Sequence, residues 1–187
     1  MGEHKERMLR GEWYLDEPEL ADDRRRCRRL VDRFNAAAAD EDALRRGLLT
    51  ELVALLGDGA AVEQPFRCSY GTQIRLGASA FVNSDAIFMD DAPITIGDDV
   101  RIGPRAQLLT ALHPMDDHER RRAGWERPEP ITIGDNSWLG GGVIVCPGVT
   151  IGENAVIGAG SVVVRDVPGH VFAAGNPARV IRSLDGG

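Results

Sequence analysis

The chain has 187 residues and a formal net charge of -7 at pH 7, enough for one domain with a substantial core, or a domain plus a small appendage. An acidic balance of this kind argues against nucleic acid or an anionic membrane as a partner, because either would repel it. Cys27, Cys68 and Cys146 are odd in number and lack C-x-x-C spacing, the first ten residues are polar, and no apolar run reaches membrane-spanning length, so reduced core thiols in a cytoplasmic protein are expected.

From Glu17 to about Gly57 the apolar residues keep helical spacing. Leu20, Cys27, Leu30, Val31 and Phe34 fall on one face. Asp16 is the expected N-cap, with Glu19 three residues on and Pro18 in the first turn, where its missing N–H costs little. Asp40 is expected to cap a second helix lined by Leu44, Leu48, Leu52, Leu55 and Leu56 and ended by Gly57. Residues 1–60 therefore read as a helical hairpin region, and the basic run Arg24 to Arg29 as its solvated face.

From Val62 the period becomes six. Val62 and Cys68, then Leu76, Val82 and Phe88, then Ile96, Ile102 and Leu108 follow it, and after a break so do Ile133, Leu139, Val145, Ile151, Ile157 and Val163. In the last run the fifth position, Ser137, Val143, Val149, Ala155, Ser161 and Val167, is always small or β-branched. Six-residue periodicity is a signature of parallel β-helices, in which three hexads make one triangular turn of roughly 18 residues. Two-residue offsets precede Leu76 and Ile96, and the register restarts at Ile74-Arg75-Leu76-Gly77, Ile94-Thr95-Ile96-Gly97 and Ile131-Thr132-Ile133-Gly134. Residues 61–168 read as this coil with an inserted loop at 110–130, and residues 169–187 as a tail packing on its outside. The helical hairpin is expected to cover the open N-terminal end.

The hexads stop between Thr110 and Pro130. His113 sits at the root of that loop, directly before Pro114, and is the side chain best suited to general-base work near neutral pH. His4, His118 and His170 have weaker claims. A zinc enzyme would need about three protein ligands, and no histidine lies on the coils upstream of His113 to complete a set with His118. A non-catalytic β-helical scaffold is compatible with the period alone.

The order of motifs is more informative than any single hexad. The helical hairpin, Ser69-Tyr70-Gly71, Phe81-Val82-Asn83, Asp90-Asp91, Thr110-Ala111-Leu112-His113-Pro114, Trp138-Leu139-Gly140 and Ala174-Gly175-Asn176-Pro177-Ala178-Arg179 together resemble the maltose and galactoside O-acetyltransferases, and the nodulation sugar acetyltransferases are similar. The resemblance spans about Glu6 to Arg182. It implies a left-handed coil, acetyl transfer from acetyl-CoA to a sugar hydroxyl, and a homotrimer with sites between subunits. It also implies roles: His113 as base; Asp16, Ser69, Asn83, Asp91 and Glu126 at the acceptor; Trp138, Gly141 and Ala159 along pantetheine; and Arg165, Arg179 and Arg182 toward the nucleotide. No metal is implied. Among enzymes the nearest rival is a gamma-class carbonic anhydrase-like zinc enzyme, and outside enzymes the inert trimeric scaffold.

Overall fold

The computed structural model of the protein describes residues 2–184. Apolar residues six apart cannot line one face of an α-helix, but they do share the interior of a coil that turns a corner every six residues. Leu76, Val82, Phe88, Ile96, Ile102, Leu108, Ile133, Leu139, Val145, Ile151, Ile157 and Val163 are all at most 1% exposed. The six fifth-position residues are buried with them. The fold is a left-handed parallel β-helix with helices at its N-terminal end.

Three flat walls make the coil. The first stacks Leu55–Leu56, Ile74–Leu76, Ile94–Ile96, Ile131–Ile133 and Thr150–Ile151. The second stacks Ala61–Val62, Phe81–Val82, Arg101–Ile102, Trp138–Leu139 and Val156–Ile157. The third stacks Phe66–Cys68, Ala86–Met89, Gln107–Leu109, Ile144–Val145 and Val162–Val163. The chain visits them in that order on every turn, and the pairing is parallel and in register, Leu76 opposite Ile96, Ile96 opposite Ile133 and Ile133 opposite Ile151. One aliphatic ladder per wall results, and truncating a buried rung such as Ile102 to alanine would cost about 2–5 kcal/mol.

The two-residue offsets and the long loop occupy one and the same corner. Eight residues separate Cys68 from Leu76 and Phe88 from Ile96, and 25 separate Leu108 from Ile133, where the hexad demands six. Each excess falls between the third wall and the first, so Ser69–Tyr70, Asp90–Asp91 and Thr110–His113 stack along a single edge of the prism.

Helix α1 (Glu3–Leu9), α2 (Pro18–Ala36) and α3 (Asp42–Leu52) precede the coil. The apolar face of α2 and the buried leucines of α3 join the coil interior in one continuous core. Asn35 of α2 closes the open edge of the first turn, its side chain donating to the Phe66 carbonyl and accepting from the Phe66 N–H, both at 2.9 Å.

Several local expectations give way. Asp16 is not the cap of α2: Glu17 occupies that position without a side-chain cap bond, and Asp16 turns to Arg24 instead. Glu41, not Asp40, stands at the N-cap of α3. Helix α3 ends at Leu52, and Leu55–Leu56 already belong to the first wall, whose stacking demand overrides their helical spacing. Gly57 is the first coil corner, where a Cβ would lie 2.5 Å from the Ala78 nitrogen. Helix α1 has no apolar period to announce it; its first-turn N–H groups at His4 and Lys5 donate to the Glu17 carboxylate, a cap supplied from outside the helix.

The tail also differs from an external strap. Val171–Gly175 pairs in parallel with Val156–Ile157 and sets a fully buried Ala173 opposite Ile157, so the second wall gains one more rung before Ala178–Ser183 folds back antiparallel. Cys27 and Cys68 are unbridged thiols with sulfurs 3.5 Å apart, and Cys146 is half-buried. No described helix is long and apolar enough to cross a membrane.

Candidate active site

A cleft of about 300 Å³ opens at the edge where the hexads slip, lined by Tyr14, Asp16, Arg24, Ser69, Met89, Asp91, Ala111, His113 and Glu126. Three sources build it: successive coil corners supply Ser69, Asp91 and His113, the N-terminal segment supplies Tyr14, Asp16 and Arg24, and the inserted loop supplies Glu126.

The loop is pinned rather than free. Ala111–Leu112 pairs antiparallel with Arg127–Pro128, and Tyr14 and Glu126 exchange two main-chain hydrogen bonds of 2.8 and 3.0 Å. A short helix, α4 (His118–Arg122), crosses between, capped by the Asp117 carboxylate accepting from the Arg120 N–H. Arg120 lies over both Trp13 and Trp125, with its guanidinium carbon 5.0 and 4.7 Å from the ring centres. The Trp125 ring packs edge-on to His4 and does not line the cleft.

His113 is half-exposed, with Nδ1 2.9 Å from the Trp125 carbonyl oxygen and Nε2 3.7 Å from Glu126 Oε1. A carbonyl only accepts, so in the neutral ring Nδ1 carries the hydrogen and Nε2 keeps its lone pair on the Glu126 side. The Glu126 contact is too long for a hydrogen bond.

The rest of the cleft is rich in carboxylates. Both oxygens of Asp16 accept from Arg24 Nη2 at 2.7 Å, while Arg24 Nη1 donates to the Tyr70 hydroxyl at 2.7 Å. The buried Tyr14 hydroxyl lies 2.6 Å from Glu126 Oε2 and 3.1 Å from Asp91 Oδ1. Burial, followed by the Asp91 charge, raises the Tyr14 phenol above its ordinary value, so it keeps its proton. Burial and then the Glu126 charge push the Asp91 carboxyl up from the usual aspartate range. Asp91 Oδ2 is buried without a partner in the single chain. A buried acceptor left unsatisfied is costly.

Asp90 has a different task. Its Oδ1 accepts from the Ser69 and Tyr70 N–H groups and its Oδ2 from Gln73, which fixes the corner beneath the cleft. Burial, opposed by those donors, pushes its carboxyl up to about 7.

The remaining sequence-derived positions lie elsewhere in the single chain. Asn83 follows the second-wall strand Phe81–Val82, its carboxamide oxygen accepting from the Ser84 N–H, and does not line the cleft. Trp138 stands 56% exposed on the same wall. Gly141 and exposed Ala159 occupy corners at the end of that wall, and no acceptor faces the Gly141 N–H among the described residues. Arg165 and Arg179 share a smaller cleft of about 140 Å³ near the C-terminal end, from whose lining Arg182 is absent.

Tyr14 and Arg24 are the site residues that sequence reasoning missed. Arg24 looks like part of a solvated basic run, but its guanidinium reaches back to Asp16 and Tyr70. A usable signal exists for Tyr14: it lies two residues before Asp16 in an extended segment, and residues i and i+2 of such a segment point the same way. Among the described residues no group of three or more His, Cys, Asp or Glu side chains stands together as a metal site.

Residues 7–57 match the family model for the maltose acetyltransferase hexapeptide capping motif, and residues 130–165 that for the bacterial transferase hexapeptide, six repeats. Nodulation protein L of Rhizobium meliloti (strain 1021) is 45% identical over 94% of this chain and 96% of its own length. The chain belongs to the hexapeptide-repeat sugar acetyltransferases of the maltose and galactoside type. The crystal structure of a maltose O-acetyltransferase from Clostridium difficile 630 superposes on this acetyltransferase with a TM-score of 0.95 at 44% identity, covering 98% of each chain. A galactoside acetyltransferase in complex with coenzyme A gives a TM-score of 0.94 at 41% identity, covering 99% of this acetyltransferase and 92% of that chain.

Proposed function

We propose that this acetyltransferase moves the acetyl group of acetyl-CoA to a hydroxyl of a sugar or glycoside by direct attack, with His113 as the general base. The observation that carries the reading is the bare Nε2 of His113, fixed by the Trp125 carbonyl and opening on a cleft also lined by Asp16, Ser69, Asp91 and Glu126.

An alcohol is protonated near pH 7, so its oxygen needs a base as it attacks. His113 Nε2 takes the hydroxyl proton while that oxygen bonds to the thioester carbonyl carbon. The tetrahedral species then collapses, the carbon–sulfur bond breaks, and Nε2 returns the proton to the departing thiolate. The products are an O-acetyl ester and free thiol, with no covalent enzyme intermediate. Glu126 stabilises the transient imidazolium, and the free Gly141 N–H is the donor offered to the oxyanion.

The cleft's charge argues for a neutral polyol. Asp16, Asp91 and Glu126 accept hydroxyl hydrogens, and the guanidinium of Arg24 is already paired with Asp16, so an anionic acceptor would meet net repulsion. Ser69 completes the acceptor set within the cleft.

The chain acts as a homotrimer, with Asn83, Trp138, Gly141 and Ala159 of one subunit facing the His113 cleft of its neighbour. The support is that these residues lie on or at the ends of the second wall, away from His113, and that Trp138 there stands 56% exposed. Arg165, Arg179 and Arg182 would meet the phosphates of the nucleotide, for which guanidinium geometry is suited. A cytoplasmic site of action accords with a supply of acetyl-CoA.

The deciding experiment is thiol release from acetyl-CoA with a panel of mono- and disaccharides, uronic acids and amino alcohols. Turnover confined to neutral sugars supports the reading; turnover with none of the panel, or preference for the acids, overturns it.

A further inference from the structure

Tyr14 is 1% exposed, its ring packed against Met8, Leu20 and Tyr70 in a small core separate from that of the coil. A tyrosine buried for packing alone needs one acceptor for its hydroxyl. This one stands between two carboxylates, and both of them line the same cleft.

The hydroxyl has a single proton to give. The 2.6 Å separation from Glu126 Oε2 is in the range of a charge-assisted O–H to carboxylate bond, and the 3.1 Å separation from Asp91 Oδ1 is not. The two main-chain bonds between Tyr14 and Glu126 hold the loop whether or not the hydroxyl is present. The hydroxyl therefore adds orientation of the Glu126 side chain, whose other oxygen is the one facing His113 Nε2.

We infer that Tyr14 is a positioning residue for acetyl transfer: its one proton is committed to Glu126, which aims that carboxylate at His113. The inference rests on His113 being the base. Without the hydroxyl, Glu126 Oε2 and Asp91 Oδ1 face each other across the vacated position with no donor between them, and Glu126 swings away from the imidazole.

The test is a kinetic cycle of Y14F, E126Q and the double variant, with H113A alongside. Y14F keeps the ring and the main-chain bonds. If Tyr14 acts through Glu126, Y14F lowers kcat by about fivefold or more, leaves KM for acetyl-CoA within about twofold, and adds less than about twofold to the loss in E126Q. A smaller loss in kcat, a matching rise in KM for acetyl-CoA, or losses that multiply in the double variant would overturn the inference. If Y14F does not fold, the comparison of E126Q with E126A takes its place: glutamine retains an acceptor for the hydroxyl and should lose less, and equal losses would contradict the role. Turnover surviving in H113A would sink the base assignment itself, whereas an inactive H113A beside a fully active Y14F would sink only the Tyr14 role.

Discussion

The Nδ1 atom of His113 lies 2.9 Å from the main-chain oxygen of Trp125, and that one contact decides which nitrogen can act as base. The carbonyl comes from the loop that Tyr14 pins, so the tautomer is set by chain geometry rather than by another side chain. Nitrogen NMR of the protein labelled at histidine should show neutral His113 protonated at Nδ1 and bare at Nε2. The opposite tautomer would leave no lone pair toward the cleft.

Arg24 grips both oxygens of Asp16 from one nitrogen and reaches the Tyr70 hydroxyl from the other. A lysine at this position cannot make that fork. R24K should therefore raise KM for the acceptor by about tenfold, the order expected for losing a charge-assisted hydrogen bond. Its KM for acetyl-CoA should stay near that of the wild type. Steady-state kinetics with each substrate varied in turn checks this, and a loss confined to kcat would mean that Arg24 serves the reaction rather than the acceptor.

Three glycines in a row at 140–142 have different reasons to be there. A Cβ on Gly140 would lie 2.6 Å from the Ala159 nitrogen, main chain that cannot give way, and Gly142 has a φ of 68°. At Gly141 an added Cβ would meet Pro104 only at ordinary contact distance, 3.4 Å. Denaturant unfolding should find G140A destabilised by about 1–3 kcal/mol, and G141S within about 0.5 kcal/mol of the wild type.

Asp90 gives a pH signature. Its folded value of about 7 lies above the ordinary aspartate value of 3.8, so between these pH values the unfolded chain releases this proton while the folded chain holds it. Stability from this group is therefore lost as pH rises from about 4 toward 7. The wild-type protein should exceed D90N in urea midpoint by more at pH 5 than at pH 7, and a gap that widens with pH would contradict the assignment. D90A, which strips three N–H groups of their acceptor, should cost about 2–4 kcal/mol.

The coil was legible because its physics is periodic. Every aliphatic from Leu76 to Val163 that fits the six-residue count is buried, since one missed step would expose a ladder. The edges of helices were less legible: Asp16 and Asp40 have the right chemistry for caps, but Arg24 competes for the first, and nothing in local sequence announces a contact eight residues away. The cleft was half legible. Asp16, Ser69, Asp91, His113 and Glu126 do meet, drawn together because the hexad slips at one corner on three successive turns. Tyr14 stayed hidden as an ordinary aromatic in an extended segment, because its meaning lies in partners 77 and 112 residues away. Asn83 and Trp138 lie apart from the cleft because the six-residue count puts them on or beside the second wall, away from the corner where the hexads slip.

The proton transfer proposed for His113 is read from the kcat of H113A with acetyl-CoA and a saturating neutral sugar, alongside the affinity of the variant for acetyl-CoA. H113A should lose about 10²–10⁴-fold in kcat with cosubstrate binding retained. An H113A enzyme turning over within about threefold of the wild type would contradict it.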